Sequence, residues 1–219
     1  MVTLLEQIGR ELMVALFAQQ SNIIDFPPST TVQGKNNEWY TPHYIIEAAR
    51  QVMGGIDTDP ASCETANHIV KASKYYTRRD NGLIQEWHGN VWLNPPFGRM
   101  NAPTKGFGGG KSVMGMFTDK LIFEYEIGHV KQAVLLATPK IDTAWFQPLW
   151  NYPICFCNHR ILFERPGYTH EGHFYGTILV YLGSNEQKFI DIFSQFGTIA
   201  KRVSTPRQEV TPLSLWEVR

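Results

Sequence analysis

Leu4, Leu5, Ile8, Leu12, Ala15, Leu16 and Gln19 fall on one face at close to helical spacing, which predicts an amphipathic helix over residues 4–19. The following run contains Pro27-Pro28 and later Gly34-Lys35-Asn36-Asn37, the composition of a linker, so residues 1–35 read as helix plus linker and residues 36–219 as one domain. In that domain Pro42 opens a helix over residues 44–53, closed by Gly54-Gly55. Residues 56–58 read as a short strand, 62–71 as a helix, and 74–77 and 91–93 as further strands. Residues 113–128 have a helical pattern, 133–138 that of a buried strand, and 143–150 that of another helix. Residues 155–164 and 174–182 read as strands joined by a hairpin-like loop over 165–172, and residues 186–196 as a last helix. Strands alternating with helices, ending in a strand pair, predict a three-layer α/β sheet with a reversed strand near one edge.

Composition narrows the class. A chain of 219 residues, 43% hydrophobic and 13% aromatic, is large enough for a substantial apolar core and is not a disordered composition. It has no run approaching the ~20 apolar residues needed to span a bilayer. Glu6, Arg10 and Glu11 interrupt the first apolar stretch, so no signal peptide is expected and the cytoplasm is the expected compartment. Three cysteines do not make a disulfide framework. Cys155 and Cys157 alternate in a predicted strand with His159, His170 and His173 nearby, but the expectation is ordinary buried cysteines and no metal. The formal charge is zero, which weakens any case for tight, non-specific binding to nucleic acid. Local clusters remain: Lys71, Lys74, Arg78 and Arg79 in one, and Arg99, Lys105 and Lys111 in another.

The second cluster follows the run Val91-Trp92-Leu93-Asn94-Pro95-Pro96-Phe97, where an apolar strand meets two prolines and an aromatic ring. Two prolines end a strand by removing two backbone donors and fixing φ. What remains is an acceptor-rich corner, the Asn94 side-chain oxygen and the Pro95 carbonyl, beside the flat ring of Phe97. Such a corner can grip an exocyclic amino group, whose two hydrogens need two acceptors, while Phe97 stacks on the attached ring. The plainer reading is a Pro-Pro turn behind a buried strand. Residues 99–111, rich in glycine, read either as a connector or as a lid over this corner.

Asn94-Pro95-Pro96-Phe97 resembles the catalytic motif of S-adenosylmethionine-dependent amino-methyltransferases. Glu38-Trp39-Tyr40-Thr41-Pro42, Gly55-Ile56-Asp57-Thr58-Asp59-Pro60-Ala61-Ser62, Asp80-Asn81-Gly82-Leu83 and Trp87 precede it in one order. Together they resemble the phage-type DNA N-6-adenine methyltransferase (Dam) family over about residues 38–182. The resemblance implies a Rossmann-like methyltransferase sheet in a phage or prophage protein acting in the host cytoplasm. The short spacing before Asn94 predicts that the sheet is reduced and leaves no room for a separate target-recognition domain. The resemblance further implies S-adenosylmethionine as cofactor, DNA as partner, and methylation of adenine N6 on a flipped-out base. Asn94, Pro95, Pro96 and Phe97 are then the catalytic residues. Trp39, Thr41, Pro42, Asp57, Asp59, Pro60, Ala61 and Asp80 lie on the cofactor side, and Arg99, Lys105 and Lys111 reach the nucleic acid.

The chain departs from the wider methyltransferase pattern in two places. The usual Gly-rich loop after the first strand is replaced by Asp59-Pro60-Ala61-Ser62, whose small residues permit the same close approach. Only 35 positions separate Asp59 from Asn94, so one strand–helix unit is expected to be missing or much shortened. The acidic residue that grips the ribose stays open between Glu64 and Asp59. Asp142, Thr143, Trp145, Arg160 and Phe163 also match family positions, with Asp142 a candidate helix cap and Arg160 its candidate partner. The oligomeric state is left open. Protein-glutamine methylation, RNA adenine methylation and a non-catalytic binding module on the same fold are the competing readings.

Overall fold

The computed structural model describes residues 40–96, 112–164 and 176–203, together with Ala15, which is helical. The predicted helix over 4–19 and its linker otherwise lie outside the described residues. In chain order the elements are α1 (His43–Met53), β1 (Thr58–Asp59), α2 (Glu64–Val70), β2 (Lys74–Tyr75), β3 (Gly89–Leu93), α3 (Val113–Glu126), β4 (Val130–Ala137), β5 (Ile154–Cys157), β6 (Ile178–Leu182), α4 (Glu186–Phe193) and β7 (Gly197–Ala200). Two 3-10 turns, Gly82–Ile84 and Gln147–Asn151, complete the set.

The described strands form one seven-stranded sheet in the order β2-β1-β3-β4-β6-β5-β7. The β2-β1, β1-β3 and β3-β4 pairs are parallel, whereas β6 runs antiparallel to both β4 and β5. Period-2 alternation sorts the side chains onto two faces. Val91, Leu93, Ala133, Leu135, Ala137, Val180 and Leu182 meet α3 through Val113, Phe117 and Leu121, with Leu83, Trp87, Phe146 and Leu149. Trp92, Val134, Leu136, Cys155, Leu179 and Tyr181 meet α1 and α4 through Ile45, Ala49, Val52, Phe189 and Phe193. Helices therefore cover both faces of a mainly parallel sheet, which is the three-layer arrangement expected.

The reversed strand near an edge is β6, but the edge itself differs from expectation. Residues 194–196 turn instead of continuing α4, and β7 then pairs antiparallel with β5. Phe196 lies 5.6 Å from Phe193 and keeps the apolar spacing of the helix, which is why the sequence pattern overran the helix end. Gly197 permits the change, because a Cβ there would meet the Phe156 carbonyl oxygen at 1.9 Å. The helix predicted over 143–150 is instead a series of i→i+3 turns: Phe146 N–H to Thr143, Leu149 N–H to Phe146 and Tyr152 N–H to Leu149. Pro148 supplies no donor, and burying Phe146 and Leu149 together suits the tighter winding. The strand predicted over 155–164 stops at Cys157, and that over 174–182 is seen as β6 alone.

The short path from Asp59 to Asn94 is explained by the sheet edge. β2 is the outermost strand, and only the 3-10 turn at Gly82–Ile84 intervenes before β3. That turn is tightly built. Asp80 Oδ2 accepts from the Thr77 N–H at 2.8 Å and its hydroxyl at 2.7 Å. Asn81 takes φ 51° and accepts the Leu83 N–H on its side chain. The indole of Trp87 donates to the Gly82 carbonyl at 2.8 Å. Gly82 packs so closely on the loop after β1 that a Cβ would lie 1.9 Å from the Pro60 carbonyl oxygen. The Asp80-Asn81-Gly82-Leu83 run and Trp87 thus hold the Asp59-Pro60-Ala61 loop in place from behind.

Candidate active site

From β1 the chain moves outward to β2 and then returns to the other side of β1 as β3, so the strand order reverses between β1 and β3. In open parallel sheets a crevice forms at such a point, beyond the carboxyl ends of the strands, because the connecting segments diverge there. Thr58 is level with Val91, so Asp59 is level with Trp92 and Asn94 stands two residues further along, about 7 Å at the strand rise. The two predicted strand ends are therefore neighbours.

Asn94 is half-buried, Pro95 buried and Pro96 exposed. The Asn94 Nδ2 donates to Thr41 Oγ1 at 3.2 Å, while Asn94 Oδ1 is buried with no hydrogen-bond partner among the described residues. Burying an acceptor without a donor costs roughly 1–3 kcal/mol, so an atom left in this state is a place where a ligand's hydrogen can be received. Thr41 is itself only 6% exposed. It is fixed by its neighbours: Tyr40 exchanges both backbone hydrogen bonds with Glu164, at 2.8 and 2.9 Å, and the Pro42 carbonyl accepts the Ile45 N–H at the start of α1. Three sequence motifs meet here, because the Cys63 thiol, next to Ser62, also donates to Tyr40 Oη at 3.7 Å.

On the β1 side Asp59 is 2% exposed. Burial raises its carboxyl pKa to about 6, against which the Ser62 hydroxyl and the Ala61 N–H act. The Ala61 N–H donates to Asp59 Oδ1 at 3.2 Å, the turn an aspartate makes with the amide two residues on. Ser62 Oγ lies near enough to influence Asp59 without forming a hydrogen bond of normal geometry. It is the second buried side-chain atom without a partner among the described residues. Pro60 is buried and Ala61 partly so. This set fits a polar cofactor: a buried carboxylate, an unsatisfied hydroxyl and a loop of small residues. Sequence reasoning passed over Ser62, counting it only as a small residue, although its place directly after Asp59-Pro60-Ala61 was the available signal.

Two cofactor-side aspartates are held by the chain itself, and one of them lies away from Asn94. Asp57 is exposed and level with Asn90, toward the amino end of the strands, and its Oδ2 accepts the Asn90 N–H at 2.7 Å. It opens onto a surface cleft of about 490 Å³ with Lys74, His88 and His129, away from Asn94. Its geometry is that of a strand-pairing residue. Asp80 is exposed and its carboxyl is held below the usual range, first by the Thr77 hydroxyl and then by the Thr77 amide. Its seen role is to close the turn after β2. Trp39, Phe97, Arg99, Lys105 and Lys111 lie outside the described residues, as do the loops over 99–111 and 165–172.

Of the remaining matched positions, Thr143 donates to the Lys140 carbonyl at 2.7 Å, and Trp145 packs on Gly115, where a Cβ would meet its ring at 3.0 Å. Phe163 is buried with α1. Asp142 and Arg160 form no ion pair with each other. Among the described residues no group of three or more His, Cys, Asp or Glu is placed to hold a metal ion, and no helix is long and apolar enough to cross a membrane.

A mixed α/β sheet with parallel central strands, helices on both faces and a polar corner at the order reversal is the fold of a Rossmann-like methyltransferase. A family model described as DNA N-6-adenine-methyltransferase (Dam) matches residues 28–196, and the chain belongs to that family. Members of the family methylate adenine N6 in DNA and generally use S-adenosylmethionine. No curated protein and no solved structure matches the chain.

Proposed function

We propose that this chain transfers a methyl group from S-adenosylmethionine to the N6 amino group of adenine in DNA, with the base turned out of the duplex. The observation that carries this reading is Asn94 Oδ1, a buried acceptor at the carboxyl end of β3 without a partner among the described residues. An adenine N6 in a duplex is engaged in pairing, so the base must leave the stack to reach such a corner. There Asn94 Oδ1 and the Pro95 carbonyl accept the two amine hydrogens, drawing density back onto a nitrogen otherwise delocalised into the ring, and Phe97 stacks on the base. Asp59 and Ser62, with Pro60 and Ala61, hold the cofactor at the adjacent strand end, and Trp39, Thr41 and Pro42 cap its methionine end. When bound, S-adenosylmethionine supplies a methyl group on a sulfonium sulfur. The chain's contribution is alignment and exclusion of water.

Incubation with methyl-labelled S-adenosylmethionine and, separately, DNA, RNA and a protein extract is expected to place the label on adenine N6 of DNA. Label confined to RNA, or to glutamine side chains, would replace the acceptor assignment. Label in none of them would leave a binding module.

Arg99, Lys105 and Lys111 are proposed to contact DNA phosphates from the loop that follows the corner. Neutralising all three is expected to weaken DNA binding and to flatten its dependence on salt by up to about three counterions, with cofactor affinity kept. Equal salt slopes in parent and variant would remove these residues from the interface.

A further inference from the structure

Three cations far apart in sequence, Arg79, Lys140 and Arg160, come to one end of the sheet, and we infer that they form a row that carries the DNA backbone across the acceptor corner. The inference rests on DNA as the proposed substrate. Strand pairing sets their level. Thr58 pairs with both Lys74 and Val91, so β2 and β3 lie level on either side of β1. Leu93 pairs with Leu135, and Ala137 and Phe156 both pair with Ile178, so β3, β4 and β5 send their carboxyl ends the same way. Arg79 follows the end of β2, Lys140 the end of β4 and Arg160 the end of β5. Asn94, at the end of β3, stands between the first of them and the other two.

All three side chains are exposed, and none forms an ion pair among the described residues. Their backbones are fixed. The Arg79 N–H donates to Thr77 Oγ1 at 3.2 Å, and the Lys140 N–H donates to the Thr138 carbonyl at 2.8 Å. Arg160 leans over the sheet end: a Cβ on Gly176, just before β6, would meet Pro139 Cγ at 3.5 Å and Arg160 Nη1 at 4.0 Å. Its guanidinium thus lies beside the residue that precedes Lys140. Of the acids at this end, Asp80 is spent on the amide and hydroxyl of Thr77, and the exposed Asp142 and Glu164 pair with none of the three cations. From β2 to β6 is four strand spacings, roughly 19 Å, and β3 lies within that span. A DNA strand advances about 3.4 Å per nucleotide, so several phosphates can follow the row while one base turns into the corner. A chain of zero formal charge can bind a polyanion in this way, because the topology gathers unpaired cations where they are needed.

The test reads binding of a short duplex DNA by fluorescence anisotropy over a range of salt. Arg79→Gln, Lys140→Gln and Arg160→Gln, singly and together, are compared with Lys131→Gln, which removes an exposed cation near the amino end of β4. Each change in the row is expected to weaken binding about three- to tenfold at about 0.1 M salt, and to make the slope of log affinity against log salt shallower by about 0.9. The triple change should lower the slope by about 2.7, while Lys131→Gln stays near the parent in both quantities. S-adenosylmethionine affinity, read by calorimetry, should stay within about twofold throughout, because the substitutions alter charge at exposed positions and leave the β1 loop intact. A triple variant with the parental slope overturns the inference. So does a Lys131 variant whose slope falls as much as that of a single row variant, since the effect would then be one of total charge. Methyl transfer in the same preparation is read separately. A parent that binds DNA with these slopes but transfers no methyl group strikes the proposed activity and leaves the row standing, whereas a parent that binds no DNA overturns both.

Discussion

Asn94→Ala is expected to lower kcat for DNA methylation by at least about 10²- to 10³-fold while leaving the affinity for S-adenosylmethionine within a few-fold. The magnitude is that of removing one preorganised hydrogen-bonding group from a site shielded from water, about 3–4 kcal/mol. The direction follows from which partner each atom faces. Among the described residues Asn94 Oδ1 has no partner and Nδ2 donates to Thr41, so the substitution removes the acceptor for the amine and touches nothing on the β1 side. Folding should survive, because the residue is only half-buried and its deletion also removes an unsatisfied atom. Single-turnover methylation with saturating cofactor, alongside calorimetric titration of the cofactor alone, separates the two effects. Near-parental turnover in this variant would end the assignment of the acceptor corner.

Much of the architecture was legible because burial on both faces of a sheet leaves a plain trace. Val91 and Leu93 face α3 while Trp92 faces α1, and the same alternation through Val134, Leu135 and Leu136 marks β4 as a central strand. The features missed are those in which side-chain spacing and backbone geometry part company. Phe189, Phe193 and Phe196 share one apolar cluster at helical spacing, yet the backbone turns after Phe193, because Phe196 reaches the same cluster from a turn as readily as from a helix. Phe146 and Leu149 likewise pack from a 3-10 winding that three-residue spacing alone does not separate from an α-helix.

The site was half legible for a related reason. The run Asn94-Pro95-Pro96 states its chemistry in residue types, whereas Asp57 and Asp59 differ only in level, one just before and one at the end of a strand two residues long. Two residues are about 7 Å, enough to send Asp57 toward the amino end, against Asn90, while Asp59 turns under the Ala61 amide at the carboxyl end. Sequence spacing cannot weigh that difference until the register of β1 on β3 is known. That the Ser62 hydroxyl has no partner among the described residues is visible only once the surrounding chain has buried it.

Asp59→Asn is expected to move stability and cofactor binding in opposite directions. Burial lifts the Asp59 carboxyl from 3.8 to about 6, so the folded state holds that proton more tightly than the unfolded chain does. The sign follows from linkage: between about pH 4 and pH 6 the folded protein carries the extra proton, and stability falls as pH rises through that window. A shift of about two units corresponds to roughly 3 kcal/mol, borne in full above pH 6 by the protein without cofactor. Asparagine removes that cost and can still accept the Ala61 amide. The variant should therefore be more stable at pH 7, by up to about 3 kcal/mol, and should lose the corresponding part of the pH dependence of unfolding. A carboxylate kept ionised at such cost is useful if a ligand supplies it with donors. Cofactor binding should then favour the ionised form, release a proton near pH 6 and tighten as pH rises through that value. Loss of the charge-assisted hydrogen bond in the asparagine variant should weaken S-adenosylmethionine about 10- to 150-fold at pH 7. Urea unfolding from pH 4 to 8, paired with calorimetry over the same range, reads both quantities. A variant that gains stability but binds the cofactor with parental affinity would leave Asp59 a strained structural residue and move the cofactor away from the end of β1.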